Sequence, residues 1–190
     1  MVAVVGLQGS GKGAAAEILA KRGYAIIEIG DIWRELVKKA GIDRSDVRAT
    51  REFTLNIRVK YGKDIYAKYV MKRIKRSMKK VAVFGIRSTY ELNYLKSKNR
   101  GLKLIALQAP LTLRFKRLRS RAKPEDPKSL SEFRWLETRT KRGFMADKKE
   151  EKYGMMAVIK RADYSVTNTG TLAQLDRKLG RILDEIEGAT

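Results

Sequence analysis

The sequence contains no cysteine and no histidine, and these two absences exclude several kinds of chemistry. Disulfides, thiolate metal sites, cysteine nucleophiles and histidine general bases are all ruled out, so acid–base chemistry falls to carboxylates, lysine or tyrosine. No apolar run approaches the ~18 residues of a membrane span, and the first residues form a predicted strand instead of a charged and then apolar leader. We therefore expect a cytoplasmic protein with no membrane partner.

Acidic residues are also few compared with basic ones, at 21 Asp and Glu against 43 Lys and Arg, which gives a net charge of +22. Such a charge favours anionic partners, either nucleotides or nucleic acid, without choosing between them. The length of 190 residues is that of one domain, 1–190, able to bury a substantial core. The composition indicates no particular oligomeric state.

A glycine-rich stretch from Gly6 to Gly13 follows the apolar run Val2 to Val5 and precedes an alanine-rich segment typical of a helix. In this strand–turn–helix context, the pattern predicts a loop that binds phosphates. Glycines let backbone N–H groups approach a polyphosphate, Lys12 reaches the outer phosphates, and the helix N-terminus adds a positive dipole. The predicted nucleotide-binding residues of this loop are Gly6, Gln8, Gly9, Ser10, Gly11, Lys12, Gly13 and Ala14.

Alternating apolar strands and helices predict a three-layer α/β domain with a mostly parallel sheet of five strands. The strands are expected at 2–5, 24–29, 81–84, 104–107 and 164–167. Residues 31–80 are longer than a crossover needs, so we expect a helical excursion over the acceptor side of the site. Residues 116–152 hold two of the three prolines and many cations. They predict a lid carrying Arg117, Arg121 and Arg139, although a plain basic helical hairpin would look the same.

Polar residues follow two of the predicted strands. The second strand is expected to end at Gly30-Asp31, with a helix continuing from Ile32, and Arg87 follows the third strand. In an open parallel sheet, ligands bind beyond the carboxyl ends of the strands, which would bring Asp31, Arg34 and Arg87 near the glycine-rich loop. Asp31 could equally be only a helix cap. Arg87 could be only a surface residue, or its guanidinium could clamp a phosphate at this edge of the sheet.

A run of cations lies near the end of the excursion, on what the sequence predicts is one helix reaching about Lys80. At helical spacing these cations form one basic stripe, which is either a solvated face or a surface for RNA. The stripe consists of Lys68, Lys72, Lys75, Arg76 and Lys79.

With these segments in order, the chain resembles a known family. The loop at 6–13 is similar to that of adenylate kinases, whose lysine is likewise followed by glycine, and Gly30-Asp31 with Arg34 resembles their acceptor segment. Gly85-Ile86-Arg87 resembles their second acceptor arginine, and residues 162–170 resemble the base loop of dephospho-CoA kinases. Nearly the whole chain is similar to an archaeal group of adenylate-kinase-related, dephospho-CoA-kinase-like proteins.

The resemblance implies a P-loop kinase fold that uses ATP and Mg²⁺ to phosphorylate a nucleotide or nucleotide-like acceptor. It implies catalytic roles for Lys12, Asp31 and Arg87, acceptor binding by Asp31, Arg34 and Arg87, and nucleotide binding by Asn168. Two departures concern the metal, because Ala14 replaces a threonine and Phe84 replaces an acidic residue that helps to hold hydrated Mg²⁺. No side chain of the loop is expected to ligate the metal directly.

Two other functions remain open at this stage. The charge of +22 is compatible with an ATP-binding switch associated with RNA or the ribosome, in which the nucleotide sets the conformation. Phe84 and Ala14 are also compatible with a degenerate module that binds nucleotide without turnover.

Overall fold

The structure, a computed structural model, describes residues 1–122, 126–142 and 154–188, without the side chains of Val47 and of residues 139–142. Five strands form one sheet in the order β2-β3-β1-β4-β5, and every pair is parallel. The predicted α/β class with a parallel five-stranded sheet is confirmed. The strands are β1 (Val2–Val5), β2 (Ala25–Glu28), β3 (Val81–Phe84), β4 (Lys103–Gln108) and β5 (Tyr164–Thr167).

Helices cover both faces of the sheet, which explains why the central strands β1 and β3 are apolar and buried along their whole length. Along β1, Ala3 and Val5 face one core cluster, while Val2 and Val4 face a second cluster on the opposite face of the sheet. The described helices are α1 (Lys12–Lys21), α2 (Ile29–Lys39), α3 (Val47–Tyr61), α4 (Ile65–Arg73), α5 (Thr89–Lys98), α6 (Leu111–Arg121), α7 (Leu130–Arg142), α8 (Met155–Ile159) and α9 (Leu172–Gly188).

The boundary after the second strand differs from the sequence prediction. Strand β2 ends at Glu28 and helix α2 starts at Ile29, so Asp31 lies within the first helical turn and not in the cap position. A carboxylate in this turn is favoured by the partial positive charge of the helix N-terminus. Ser88 caps the helix that follows β3, since its hydroxyl accepts from the N–H of Glu91 and the Glu91 carboxylate accepts from the N–H of Ser88.

The excursion between β2 and β3 consists of α2, α3 and α4, but the expected helix up to about Lys80 is wrong. Helix α4 ends at Arg73, where Ile74 takes an extended conformation. Lys75, Arg76 and Lys79 therefore lie in the connection to β3 and do not extend the helical face that carries Lys68 and Lys72. Among the residues described, no helix combines the length and apolarity needed to cross a lipid bilayer.

Candidate phosphoryl-transfer site

The glycine-rich loop joins β1 to α1 at the carboxyl edge of the sheet. Gly9 and Gly11 have φ angles of 78° and 102°, in the region that favours glycine. The Lys12 ammonium donates to the carbonyl oxygens of Gly6 at 2.8 Å and Leu7 at 3.1 Å, so it lies against the main chain of the loop. Ser10 is fully buried. The segment thus forms the glycine turn expected between β1 and α1, and phosphate binding by it stays a prediction.

Two residues far away in the sequence support the back of this loop. The Asn168 amide donates to the Ser10 carbonyl at 2.9 Å, and a Cβ on Gly11 would clash with the same amide. Arg114 donates to the Gln8 carbonyl at 3.2 Å, and a Cβ on Gly9 would lie 2.6 Å from the Arg114 carbonyl. The glycines are therefore required by close contacts as well as by φ.

Gly13 differs from these glycines, because a Cβ added there would meet no atom within 4 Å. It occupies the first turn of α1, where its φ angle is ordinary for a helix. The position that usually carries a Ser or Thr hydroxyl in such loops thus has room for one.

The Lys12 ammonium lies in a strongly cationic environment. Its pKa is lowered to about 8, chiefly by burial and next by Arg87, with Arg121 and Arg114 acting in the same direction. Glu28 opposes this shift and raises the pKa of Lys12. This part of the cleft therefore holds an excess of positive charge, which the oxygens of a polyphosphate would neutralise.

The acceptor side, as predicted from Asp31, Arg34 and Arg87, lies across α2 and the start of α5. Asp31 and Arg34 form an ion pair one helical turn apart. Arg87 is exposed by surface area, but protein surrounds it at longer range; this desolvation is the main cause that lowers the pKa of Arg87. Arg58 and Arg34 lower the pKa of Arg87 further, so the three guanidinium groups act on one another.

Arg58 is the residue of this group that sequence reasoning missed. It lies on α3 and donates to the buried Glu91 carboxylate at 2.9 Å, with its guanidinium 5.4 Å from the centre of the Tyr66 ring. Burial raises the pKa of Glu91, while Arg58 and the N–H groups of Arg87 and Ser88 act in the opposite direction. Nothing local marks Arg58, since its partner is 33 residues away.

The predicted lid residues have different surroundings. Arg117 lies within 3.5 Å of the Gly9 carbonyl and 3.4 Å of the Asn168 side-chain oxygen, so it reaches the loop. Arg121 instead donates through Nε to Asp126 at 2.9 Å. The side chain of Arg139 and residues 143–152 of the expected lid lie outside the described residues.

Helix α7 is fixed to α6 by a contact absent from the sequence prediction. Arg114 donates to Glu137 at 2.8 Å with both side chains almost fully buried, and the rings of Phe115 and Phe133 stack at 5.9 Å. The same Arg114 contacts the phosphate loop, so the position of α7 is linked to the loop through one side chain.

A carboxylate that sequence reasoning did not single out lies near the loop. Glu28 ends β2 directly beside Phe84 of β3 in the parallel register. Neighbouring residues in register point to the same face of a sheet, and this is the face on which α1 and Lys12 lie. Phe84 itself is buried in the core cluster on that face. Among the described residues no group of three possible metal ligands occurs.

Comparison with known proteins agrees with this geometry. A family model described as an AAA domain matches residues 2–142. In structure, the chain is similar to a gluconokinase from Sinorhizobium meliloti, with a TM-score of 0.57 at 18% identity over 100% of this chain and 96% of that one. It is also similar to a shikimate kinase from Acinetobacter baumannii, with a TM-score of 0.57 at 16% identity over 97% and 92% of the two chains.

The fold and the loop thus define a P-loop kinase-like domain. In sequence, the chain is 30% identical to a UPF0200 protein from Pyrococcus horikoshii over 191 residues. The alignment covers 98% of this chain and 97% of that protein. The chain belongs to the UPF0200 family of archaeal proteins.

Proposed function

We propose that this protein transfers the γ-phosphoryl group of ATP to a nucleotide or a nucleotide-like acceptor in the cytoplasm. The observation that carries the proposal is the pairing of a phosphate loop around Lys12 with a second cationic group, made by Arg34, Arg58 and Arg87, at the same edge of the sheet. A polyphosphate and an anionic acceptor would each neutralise one of two cations that otherwise repel one another, Lys12 and Arg87.

In this proposal the chemistry depends on positioning and cations more than on a strong base. An acceptor oxygen forms the new bond to the γ-phosphorus, the bond to the β–γ bridging oxygen breaks, and ADP leaves. Lys12 and the loop N–H groups hold the donor, the three arginines hold the acceptor's anionic group, and Asp31 orients the attacking oxygen. Arg117 approaches from α6, and Arg121 lies about one helical turn further along that helix.

Mg²⁺, when bound, would neutralise charge on the β- and γ-phosphate oxygens. Because Mg²⁺ usually keeps several of its waters, a carboxylate near the phosphate loop can hold it indirectly. Glu28 fits this role, since it lies in register with Phe84 and its charge acts on Lys12. We propose that Glu28 supplies the carboxylate that Phe84 does not.

Glu28→Gln tests this assignment without requiring turnover. We expect it to abolish most of the increase in ATP affinity that Mg²⁺ gives, measured by calorimetry with Mg²⁺ and with EDTA, and to leave the affinity in EDTA unchanged or higher. Glu17→Gln, which changes an exposed carboxylate on α1, is the control. If Mg²⁺ raises the ATP affinity of Glu28→Gln and of the wild type equally, a group other than Glu28 holds the metal.

A screen for ADP release with ATP and Mg²⁺ tests the main proposal. The acceptors are nucleoside monophosphates and dephospho-CoA, with gluconate and shikimate as small hydroxy acids. We expect release with a nucleotide acceptor, loss of about 100- to 1,000-fold of this activity in Lys12→Ala, and a raised KM for the acceptor alone in Arg34→Ala. ATP binding without turnover on any acceptor would instead select the degenerate nucleotide-binding module.

A further inference from the structure

A groove that contains none of the phosphate-loop residues lies between the start of α4 and the exposed face of α5. Its volume is about 490 Å³, within the ~300–1,000 Å³ range of ligand sites. Four of its residues lie three or four positions apart on α5, so they form one helical face. The groove is lined by Lys63, Asp64, Tyr90, Asn93, Tyr94 and Ser97.

Lysines and tyrosines alternate along this groove. The Lys63 ammonium is 4.9 Å from the centre of the Tyr90 ring, and those of Lys68 and Lys98 are 5.9 Å and 5.7 Å from the centre of the Tyr94 ring. The two rings thus occur one helical turn apart, each with an ammonium over it. Aromatic rings interleaved with cations are typical of surfaces on which single-stranded nucleic acids stack their bases and place their phosphates.

The groove carries mostly positive charge, which is opposite in sign to the phosphates of a nucleic acid. Arg161 donates to Asn93 at 2.7 Å and adds a fourth cation, whereas the lining includes one carboxylate, Asp64, which pairs with Lys68 at 2.9 Å. The net charge of +22 for the whole chain adds long-range attraction for a polyanion. A small-molecule kinase does not need such a charge for its own substrates.

We propose that the groove between α4 and α5 binds single-stranded RNA, with bases stacked on Tyr90 and Tyr94 and phosphates near Lys63 and Lys98. Asn93 and Ser97 line the same groove and offer an amide and a hydroxyl to ribose 2′-hydroxyls, which favours RNA over DNA. This surface replaces the stripe expected from sequence, because α4 ends before Lys75 and only Lys68 of that stripe reaches the groove.

The test measures fluorescence anisotropy of a labelled oligouridine with the full-length protein. We expect Tyr90→Leu/Tyr94→Leu, which keeps apolar bulk on α5, to weaken binding at least about tenfold, because it removes both rings on which bases would stack. Tyr90→Phe/Tyr94→Phe keeps both rings and should bind nearly as the wild type does. Equal loss in the two variants would overturn the stacking role, as would equal binding by the leucine variant and the wild type.

A separate control is needed for charge, because a chain with a net charge of +22 attracts RNA at any part of its surface. Lys98→Glu and Lys21→Glu each reverse the charge of an exposed lysine in the last turn of a helix. Lys21, however, lies on α1, across the sheet from the groove. We expect Lys98→Glu to weaken RNA binding more and to lower its salt dependence by about one phosphate contact. Equal effects would mean that RNA is held by overall charge, which would overturn the proposed site.

Two further measurements complete the test. One compares different nucleic acids, and the other removes the cation of the phosphate loop. Single-stranded RNA should bind more tightly than single-stranded DNA or duplex RNA of the same length, and equal affinities would overturn the assignment. Lys12→Ala should bind RNA as the wild type does, since it leaves the groove intact. Loss of RNA binding in Lys12→Ala would place the RNA in the phosphate loop and overturn the groove.

Discussion

The phosphate loop and the acceptor side lie at the same edge of the sheet, but they are built differently. The loop is eight consecutive residues whose shape depends on glycine torsions and main-chain hydrogen bonds. The acceptor side is made of side chains from α2, α3 and the start of α5, held by the buried pair of Arg58 and Glu91. The first region should therefore be sensitive to backbone changes, and the second to changes of charge.

The largest effect should come from a methyl group placed inside the loop. Gly11→Ala puts a Cβ against the Asn168 amide at a φ of 102°, so the loop must shift. We expect ATP affinity to fall at least about 100-fold and stability by about 1–3 kcal/mol, measured by calorimetry and urea unfolding. Gly13→Ala is the matched control, because its Cβ meets open space. Equal effects of the two changes would show that the loop is not held by these contacts.

On the acceptor side, the largest effect should come from Glu91→Ala. It leaves Arg58 without its carboxylate in a mostly buried position and removes the capping box of α5, which should lower the free energy of unfolding by about 3 kcal/mol. Chemical denaturation measures this change. Glu91→Gln keeps the shape and an acceptor oxygen, so we expect a smaller loss. A glutamine variant as unstable as the alanine variant would mean that the charge of the carboxylate accounts for the whole loss, and one as stable as the wild type would mean that charge is not what matters there.

The pKa of Lys12 gives a third way to separate the two regions. Since burial and Arg87 lower this pKa to about 8, phosphate oxygens should raise it again, and binding should take up a proton at higher pH. We expect ATP affinity to fall above about pH 8, by up to about tenfold per pH unit. Calorimetry in buffers of different ionisation enthalpy counts the protons. Lys12→Arg, which stays charged, should show no such uptake; equal uptake would assign the proton to another group.

The smallest effect should come from restoring the hydroxyl that the loop lacks. Gly13→Ser places it at an open position in the first turn of α1, where loops of this kind hold Mg²⁺. We expect ATP affinity in Mg²⁺ to rise about three- to tenfold, with little change in EDTA. Gly13→Ala should give no Mg²⁺-dependent gain. A gain in the alanine variant as well would point to helix stability instead of metal contact.

Much of this fold could be predicted because its signals are local. The apolar runs at 2–5, 81–84 and 164–167 match strands β1, β3 and β5, and Ser88 with Glu91 marks the start of α5. Errors arose where two signals overlapped. The apolar pattern across Ile29 suits either a strand or a helix, and the basic spacing after Arg73 looks helical although α4 has ended. Periodicity alone could not choose in these places, because tertiary packing overrides propensity.

The sequence by itself determined the phosphate loop, because the geometry of a glycine turn between a strand and a helix is encoded in consecutive residues. Only the tertiary structure decided the rest of the site. It brought Arg58 to Glu91, Asn168 to Ser10, and Glu28 beside Phe84, across separations of 33, 158 and 56 residues. The physical reason is that charge pairing and register depend on which elements pack together, and no single segment of the chain carries that information.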